Sequence, residues 1–219
     1  MKKLFLLLFS LFMFTGCGDN IYLNLETDPY LLTEYNVALY ATYAGDPICG
    51  ATVIQEGVVV TASHCVNSPG DYHVKTNDGS MIPVQIIGID NFETTDVAIL
   101  RPLFAFPPQH RALLSRQEPK LGEDVWVVGC PSGECDSLSK GIVSKLGVTG
   151  HHGMKMNQFD VTAWYGNSGG GIFNSRGDLV GVVSQFGPQF YRGWSGEAET
   201  GWMYGCTVEA TRRVLRGSM

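Results

Sequence analysis

Thr61-Ala62-Ser63-His64-Cys65, Thr95-Asp96-Val97-Ala98-Ile99-Leu100 and Gly166-Asn167-Ser168-Gly169-Gly170 follow one another, in that order, along a chain of 219 residues. Together they supply an imidazole, a carboxylate and a hydroxyl, the minimum equipment for acyl transfer through serine. A serine hydroxyl is a poor nucleophile unaided, so a base must take its proton as attack proceeds. A histidine oriented by a carboxylate meets that need and can later return the proton to the leaving group. Taken alone, His64 would read as a satisfied loop histidine. The Ala-Ser-His-Cys setting and the two later segments reverse that reading. Asp90 and Glu93 lie near Asp96, yet only Asp96 directly precedes the apolar run Val97–Leu100, which suits a carboxylate held at a strand edge. Asp78 and Asp90 read more simply as turn residues.

The order of these groups narrows the fold. Gly166–Gly170 also satisfies G-x-S-x-G, the nucleophile elbow of α/β-hydrolases, but that triad needs its histidine after the serine. His64, His73, His110, His151 and His152 all precede Ser168. A subtilisin-like order would need an aspartate before His64, and Asp28 or Asp46 could nominally serve. That fold alternates strands with helices, whereas the surroundings of His64 and Ser168 read as strands joined by turns. Short β-rich runs recur at Ala51–Ile54, Val58–Ala62, His73–Lys75, Val84–Ile89, Val97–Leu100, Val125–Val128, Gly141–Leu146, Phe159–Thr162, Gly171–Phe173, Leu179–Ser184 and Trp202–Thr207. Turn signals such as Asn77-Asp78-Gly79 and Ser175-Arg176-Gly177-Asp178 separate them. Many short strands with glycine-rich turns favour a sandwich or barrel.

On these residues the chain resembles the trypsin/chymotrypsin-type serine peptidases, over roughly Ile48 to Leu215, and Asn167 is similar to the bacterial HtrA-like branch. The resemblance implies an all-β fold of two six-stranded antiparallel barrels with a short C-terminal helix. It places the crossing between barrels at about Phe104–Gln117 and the site at their seam, with His64 and Asp96 from the first barrel and Ser168 from the second. The backbone N–H groups of Gly166 and Ser168 would form an oxyanion hole, and Gly169 and Gly170 would allow close chain approach behind the nucleophile. Thr162 aligns with the floor of the pocket for the residue preceding the cleaved bond. Val183–Gly187 resembles the strand that pairs with substrate backbone, which makes Ser184 and Phe186 substrate-binding candidates. A neutral Thr162 and a narrowing Phe186 imply a small or medium uncharged side chain in that pocket. Where the digestive enzymes carry an aspartate that pairs with a newly cut N-terminus, this chain has Asn167, which implies no activation of that type. The expected activity is a serine endopeptidase acting on protein or peptide substrates, with no cofactor and no metal. The alternatives are a catalytically inactive homologue that acts as a binding protein, or an esterase on the same scaffold.

Thr207–Arg216 has apolar residues at helical spacing, with Thr207 as N-cap and Glu209 in the first turn, where a carboxylate suits the helix dipole. No PDZ module is expected after it. The insertion Pro188–Gly201, rich in glycine and aromatics, reads equally as a lid over the site or as a packed surface loop. His151 and His152 read as a solvated turn.

The front end addresses location. Lys2 and Lys3 precede the apolar run Leu4–Phe14 and then Thr15-Gly16-Cys17. That run is too short for a membrane span, which needs roughly 20 apolar residues, and reads as a secretory signal over residues 1–16. Cys17 resembles the lipid-modified cysteine of a bacterial lipobox, although Phe14 departs from the usual leucine and leaves ordinary secretory cleavage open. The expected organisation is a lipidated tether over residues 17–34 and a peptidase domain over 35–219. The molecule would be exported and anchored through Cys17, facing the periplasm or cell exterior. Loss of Lys2 and Lys3 would take the formal charge from -6 to -8. That acidic balance excludes nucleic acid as an expected partner, since phosphate binding needs clustered Lys and Arg. Oligomeric state is open.

An exported chain meets an oxidising compartment, so its cysteines are possible bridges. Cys49 and Cys65 flank the strand leading to His64 and resemble the family's bridge beneath the catalytic histidine. Cys130 and Cys135 bracket Pro131-Ser132-Gly133-Glu134, a turn that a local bridge could close. Cys206 is left over, either as a small buried apolar residue or as half of an intermolecular bridge. No pair shows C-x-x-C metal spacing.

Overall fold

The computed structural model describes residues 27–90, 94–149, 153–162, 164–186 and 202–219. The signal segment, Cys17, Glu93, His151, His152, the Pro188–Gly201 insertion and the side chain of Phe186 lie outside the described residues.

Two closed antiparallel barrels account for the strands. The first contains β1 (Asn36–Tyr40), β2 (Cys49–Val53), β3 (Val59–Thr61), β4 (His73–Lys75), β5 (Met81–Ile89) and β6 (Ala98–Pro102), in the spatial order β1-β2-β3-β6-β5-β4. The second contains β7 (Asp124–Gly129), β8 (Ser137–Thr149), β9 (Lys155–Asp160), β10 (Gly171–Asn174), β11 (Leu179–Phe186) and β12 (Trp202–Cys206), in the order β10-β11-β12-β9-β8-β7. Closure pairs every edge, which removes the exposed ladders that an open sheet would offer to other chains. This is the architecture expected from the resemblance.

The pleat explains why the run Val58-Val59-Val60 is apolar throughout rather than alternating. Successive side chains on a strand point to opposite faces. Val59, Ala98 and Leu100 fill the first barrel together with Val37, Leu39, Val53 and Val74. Their neighbours Val60 and Ile99 point outward and join a second cluster with Val125, Val127, Val143, Phe159, Ile172, Phe173, Val182 and Met203. One face of β3 and β6 is therefore the core of the first barrel, and the other belongs to the core the two barrels share. Both faces are dry.

The strand Asn36–Tyr40 has no counterpart among the runs read from sequence. It pairs with β2 and β4 and closes the first barrel. Its residues Asn36–Leu39 are all buried, so no alternation marks it. The tether expectation also changes over its last residues. Pro29–Tyr35 forms a 3₁₀ turn capped by Asp28, whose carboxylate accepts from Tyr30 N at 3.0 Å. Leu32 is 1% exposed and sits in the shared core, and Thr27 N donates to Ser175 O at 2.8 Å. Residues 27–34 are thus part of the packed unit.

The chain ends in α1 (Val208–Ser218), whose N-cap Thr207 accepts from Ala210 N through Oγ1 at 3.1 Å. Val208, Ala210, Thr211, Val214 and Leu215 form its buried face, and Glu209 lies in its first turn, as the spacing implies. Among the described residues no helix is long and apolar enough to cross a membrane.

Candidate active site

Asp96 sits where the chain turns into β6. It is wholly buried, and its φ of 51° lies in the left-handed region. Aspartate tolerates that region better than most residues, and such outliers persist only where surrounding contacts hold them. The contacts here are on the carboxylate. Oδ2 meets His64 Nδ1 at 2.8 Å and accepts from Ser184 Oγ at 2.5 Å. Oδ1 accepts from His64 N at 2.9 Å and from Ser63 Oγ at 3.0 Å. A buried carboxylate carries a large desolvation cost unless it is hydrogen-bonded, and these partners supply that compensation.

The loop delivering Asp96 is itself tied down. Asp90 accepts from Thr95 Oγ1 at 2.7 Å and from Thr94 Oγ1 at 2.8 Å, and pairs with Arg213 of α1 at 3.1 Å. Asp90 is therefore more than a turn residue, because it links this loop to the terminal helix. Asp78 keeps the turn role expected of it, accepting from Ser80 N at 3.0 Å and from Thr76 Oγ1. Beneath Asp96 lies Cys206, 1% exposed, whose Sγ contacts the Asp96 carbonyl oxygen at 3.4 Å. Burial pushes its thiol pKa well above the ordinary value, and the nearby Asp96 carboxylate adds to the effect.

Ser184 occupies a β-bulge. Val183 pairs with Gly205 and Gln185 with Tyr204, so Ser184 is the extra residue between them. A bulge re-aims a side chain, and here the hydroxyl turns inward to Asp96. Its side chain is 4% exposed and committed to the carboxylate, so any contact with substrate at this position falls to backbone.

Ser168 lies on a turn of the second barrel that presses against the first. Gly50 N donates to Ser168 O at 2.8 Å. Gly50 adjoins Cys49, which is disulfide-bonded to Cys65, the neighbour of His64. A side chain on Gly169, at φ +79°, would lie 2.1 Å from Thr61 Oγ1 and 2.3 Å from Gly50 O, so only glycine lets the two barrels meet this closely. The N–H groups of Asn167, Gly169 and Gly170 donate to Trp164 O, Val183 O and Asn167 O at 3.1, 2.8 and 3.0 Å. Among the described residues, the N–H groups of Gly166 and Ser168 take no acceptor. Trp164 and Tyr165, just before this turn, are 47% and 70% exposed and form an edge-to-face pair. Thr162 is exposed beyond the end of β9.

Both expected intramolecular disulfides are present, Cys49–Cys65 and Cys130–Cys135. Cys206 is a buried free thiol. Its burial agrees with the small-apolar reading. The cluster of Cys49, His64 and Cys65 brings three potential ligand atoms within 4.8 Å, but the two sulfurs are bonded to each other and offer no thiolate.

A family model described as a trypsin-like peptidase domain matches residues 49–182, a span that includes His64, Asp96 and Ser168. The chain belongs to that family. As a trypsin-like peptidase domain it is similar to a probable periplasmic serine endoprotease, DegP-like, from Pseudomonas putida, at 35% identity over 62% of this chain and 28% of that protein. It is also similar to the serine endoprotease DegS of Escherichia coli, at 28% identity over 61% of this chain and 38% of that protein. The match thus spans well under half the length of these curated relatives. Among solved structures, the HtrA-type protease AlgW, determined with a decapeptide, superposes with a TM-score of 0.72 at 18% identity, covering 87% of this chain and 67% of that one. Rv3671c of M. tuberculosis, in an inactive serine-to-alanine form, superposes with a TM-score of 0.68 at 20% identity, covering 89% and 92%. At those identities the likeness is one of fold.

Sequence reasoning paired Asp96 with His64 but missed its other partners. Ser63 stands within the quoted His64 segment and was legible as a neighbour. Ser184 and Cys206 carry no signal, because their contacts depend on strand pairing far along the chain.

Proposed function

We propose that the chain is a serine endopeptidase, with Ser168 as nucleophile, His64 as general base and then acid, and Asp96 as the group that orients the imidazole. The observation that carries this reading is the His64 Nδ1–Asp96 Oδ2 contact of 2.8 Å, on the wall that the Ser168 turn abuts. A carboxylate can only accept, so Nδ1 carries the shared proton and Nε2 is the base nitrogen. Ser168 Oγ attacks a peptide carbonyl while its proton passes to His64. The negative charge that develops on the carbonyl oxygen is met by the N–H groups of Gly166 and Ser168. Each such donor is worth roughly 10²–10³ in rate. Collapse of the tetrahedral species breaks the C–N bond as His64 protonates the amine. Water, deprotonated by His64, then releases the acyl group from Ser168.

Relatives named as periplasmic endoproteases and a neighbour solved with a peptide support peptides as substrates and export as the destination. Membrane attachment through Cys17 belongs to the same proposal, resting on the lipobox-like segment alone. For the substrate pocket, the neutral Thr162 supports a small or medium uncharged side chain before the cleaved bond. A peptide panel in which Lys or Arg is preferred there would overturn that assignment.

The test of the activity is covalent. A fluorophosphonate probe is expected to label the wild type and not Ser168→Ala, and new protein N-termini should arise only with the wild type. Equal labelling of both proteins, or no cleavage by either, would sink the enzyme reading.

A further inference from the structure

The turn between β7 and β8 holds the peptide that presents the Gly166 N–H. Ser132 N donates to Tyr165 O at 2.8 Å. No peptide bond here is cis, so the C=O of Tyr165 and the N–H of Gly166, which share one planar trans unit, point in opposite directions. Anchoring the carbonyl on Ser132 therefore aims the Gly166 N–H away from the turn, toward the side where it takes no acceptor. The packing is tight. A side chain on Gly166, at φ +98°, would lie 2.1 Å from Cys130 O.

The turn is an expensive shape for a backbone. The non-glycine residues with positive φ among the described residues are Asp96, Ser132 and Asp136, and two of these lie in this one turn, around Gly133 at φ +85°. Non-glycine residues in that region are disfavoured, serine more than aspartate, and persist only when the surroundings over-determine them. Within the turn they are held by hydrogen bonds from Gly133 N to Cys130 O at 3.0 Å and from Glu134 N to Pro131 O at 2.9 Å and by the Cys130–Cys135 bridge, and from outside it by the Ser132 N–Tyr165 O bond and by Asn36 Nδ2, which donates to Asp136 Oδ1 at 3.4 Å. The two disulfides differ in access. Cys49 and Cys65 are both buried, at 5% and 7% exposure, whereas Cys135 is half-buried on a turn whose middle residues are exposed.

We propose that the Cys130–Cys135 bridge is a thiol-sensitive support of the oxyanion site, which rests on the serine-peptidase reading above. A dithiol reductant attacks the accessible Cys135 sulfur, expelling the Cys130 thiolate, which takes up a proton. The second reductant thiol then displaces the mixed disulfide, so two protein thiols form and the reductant leaves oxidised by two electrons. Without the bridge, the strained turn relaxes, Ser132 N releases Tyr165 O, and the Gly166 N–H loses its fixed aim. The nucleophile, base and substrate strand stay in place. The device acts on transition-state binding rather than on substrate binding.

The test compares wild type, C130A/C135A and Ser168→Ala with a peptide substrate and a peptide boronic acid that forms a tetrahedral adduct. The double variant is expected to lose roughly 10² in kcat and the same factor in boronate affinity, with KM within a few-fold. Wild-type kcat in the double variant, or equal losses in KM and kcat, overturns the proposal. To separate this effect from any general folding defect of the variant, wild type is also titrated with dithiothreitol and its thiols are mapped by mass spectrometry. Turnover should fall as Cys130 and Cys135 appear as thiols and return on reoxidation, with Cys49–Cys65 intact throughout. Full turnover after complete reduction of Cys130–Cys135, or loss that tracks Cys49–Cys65 instead, overturns it. If wild type and Ser168→Ala behave alike, the peptidase reading itself has failed, a result distinct from either.

Discussion

Ser184 Oγ donates to Asp96 Oδ2 at 2.5 Å, so a carboxylate carried by the first barrel is held by a hydroxyl from the second. The bond spans 88 positions of sequence and joins the two halves of the candidate site. Hydrogen bonds to charged groups contribute about 1.5–3 kcal/mol, more than neutral ones. Ser184→Ala leaves the buried carboxylate with one donor fewer, so its hold on His64 slackens. We expect kcat to drop at least about tenfold, since roughly 1.4 kcal/mol is a factor of ten, with KM nearly unchanged. Steady-state kinetics on the purified variant checks this, and an unaltered kcat would remove Ser184 from the positioning role.

Asp96→Asn preserves shape but changes which groups donate. The asparagine amide can donate to His64 Nδ1, which forces the proton onto the nitrogen that should act as base. Where a Ser-His-Asp triad depends on its aspartate for the tautomer, that change costs about 10⁴ in kcat, and a loss of roughly 10³–10⁴ is expected here. Circular dichroism should show the fold retained. A loss below about tenfold would mean the imidazole does not depend on this carboxylate.

Cys206 gives a pH signature in stability. Its thiol is pushed well above the ordinary range by burial, with Asp96 adding to the effect. Below about pH 8.5, the ordinary thiol value, folded and unfolded chains both hold the proton and this group contributes no slope. Above it, the unfolded chain releases the proton while the folded one keeps it, so stability falls as pH rises toward the folded pKa. Melting temperatures of wild type should therefore decline more steeply than those of Cys206→Ala between about pH 8.5 and 10. Parallel curves would contradict the buried-thiol assignment, as would rapid alkylation of Cys206 in the native protein.

Leu32 tests whether the segment before β1 is structural. It is 1% exposed in the shared core, and Leu→Ala at such sites costs about 2–5 kcal/mol. Denaturant unfolding of Leu32→Ala should show that loss, with kcat per folded molecule unchanged. A variant as stable as wild type would return residues 27–34 to the role of a loose tether.

Much of the fold was legible because the chemistry of the site is local in sequence. Most strands announced themselves through β-branched runs between turn residues, and the candidate imidazole, carboxylate and hydroxyl stood in segments whose neighbours made sense of them. Asn36–Tyr40 was not legible, because it lacks the dense β-branched run that marks β3, carries the helix formers Ala38 and Leu39, and follows an aperiodic stretch. Leu32 escaped for a similar reason: a single apolar residue on a 3₁₀ turn has no period at all. Asp90 read as a turn residue because nothing near it in sequence predicts Arg213 from the terminal helix.

By itself the sequence determined the order of imidazole, carboxylate and hydroxyl, and with it the exclusion of α/β-hydrolase connectivity, since residue order survives folding unchanged. Tertiary structure alone decided how Asp96 is held, by Ser63 and Ser184 on its carboxylate and with Cys206 against its backbone, and how Ser132 aims the peptide before Gly166. Those contacts exist only because two barrels close and meet, and a distance set by strand register across the molecule leaves no mark on the residues beside it in the chain.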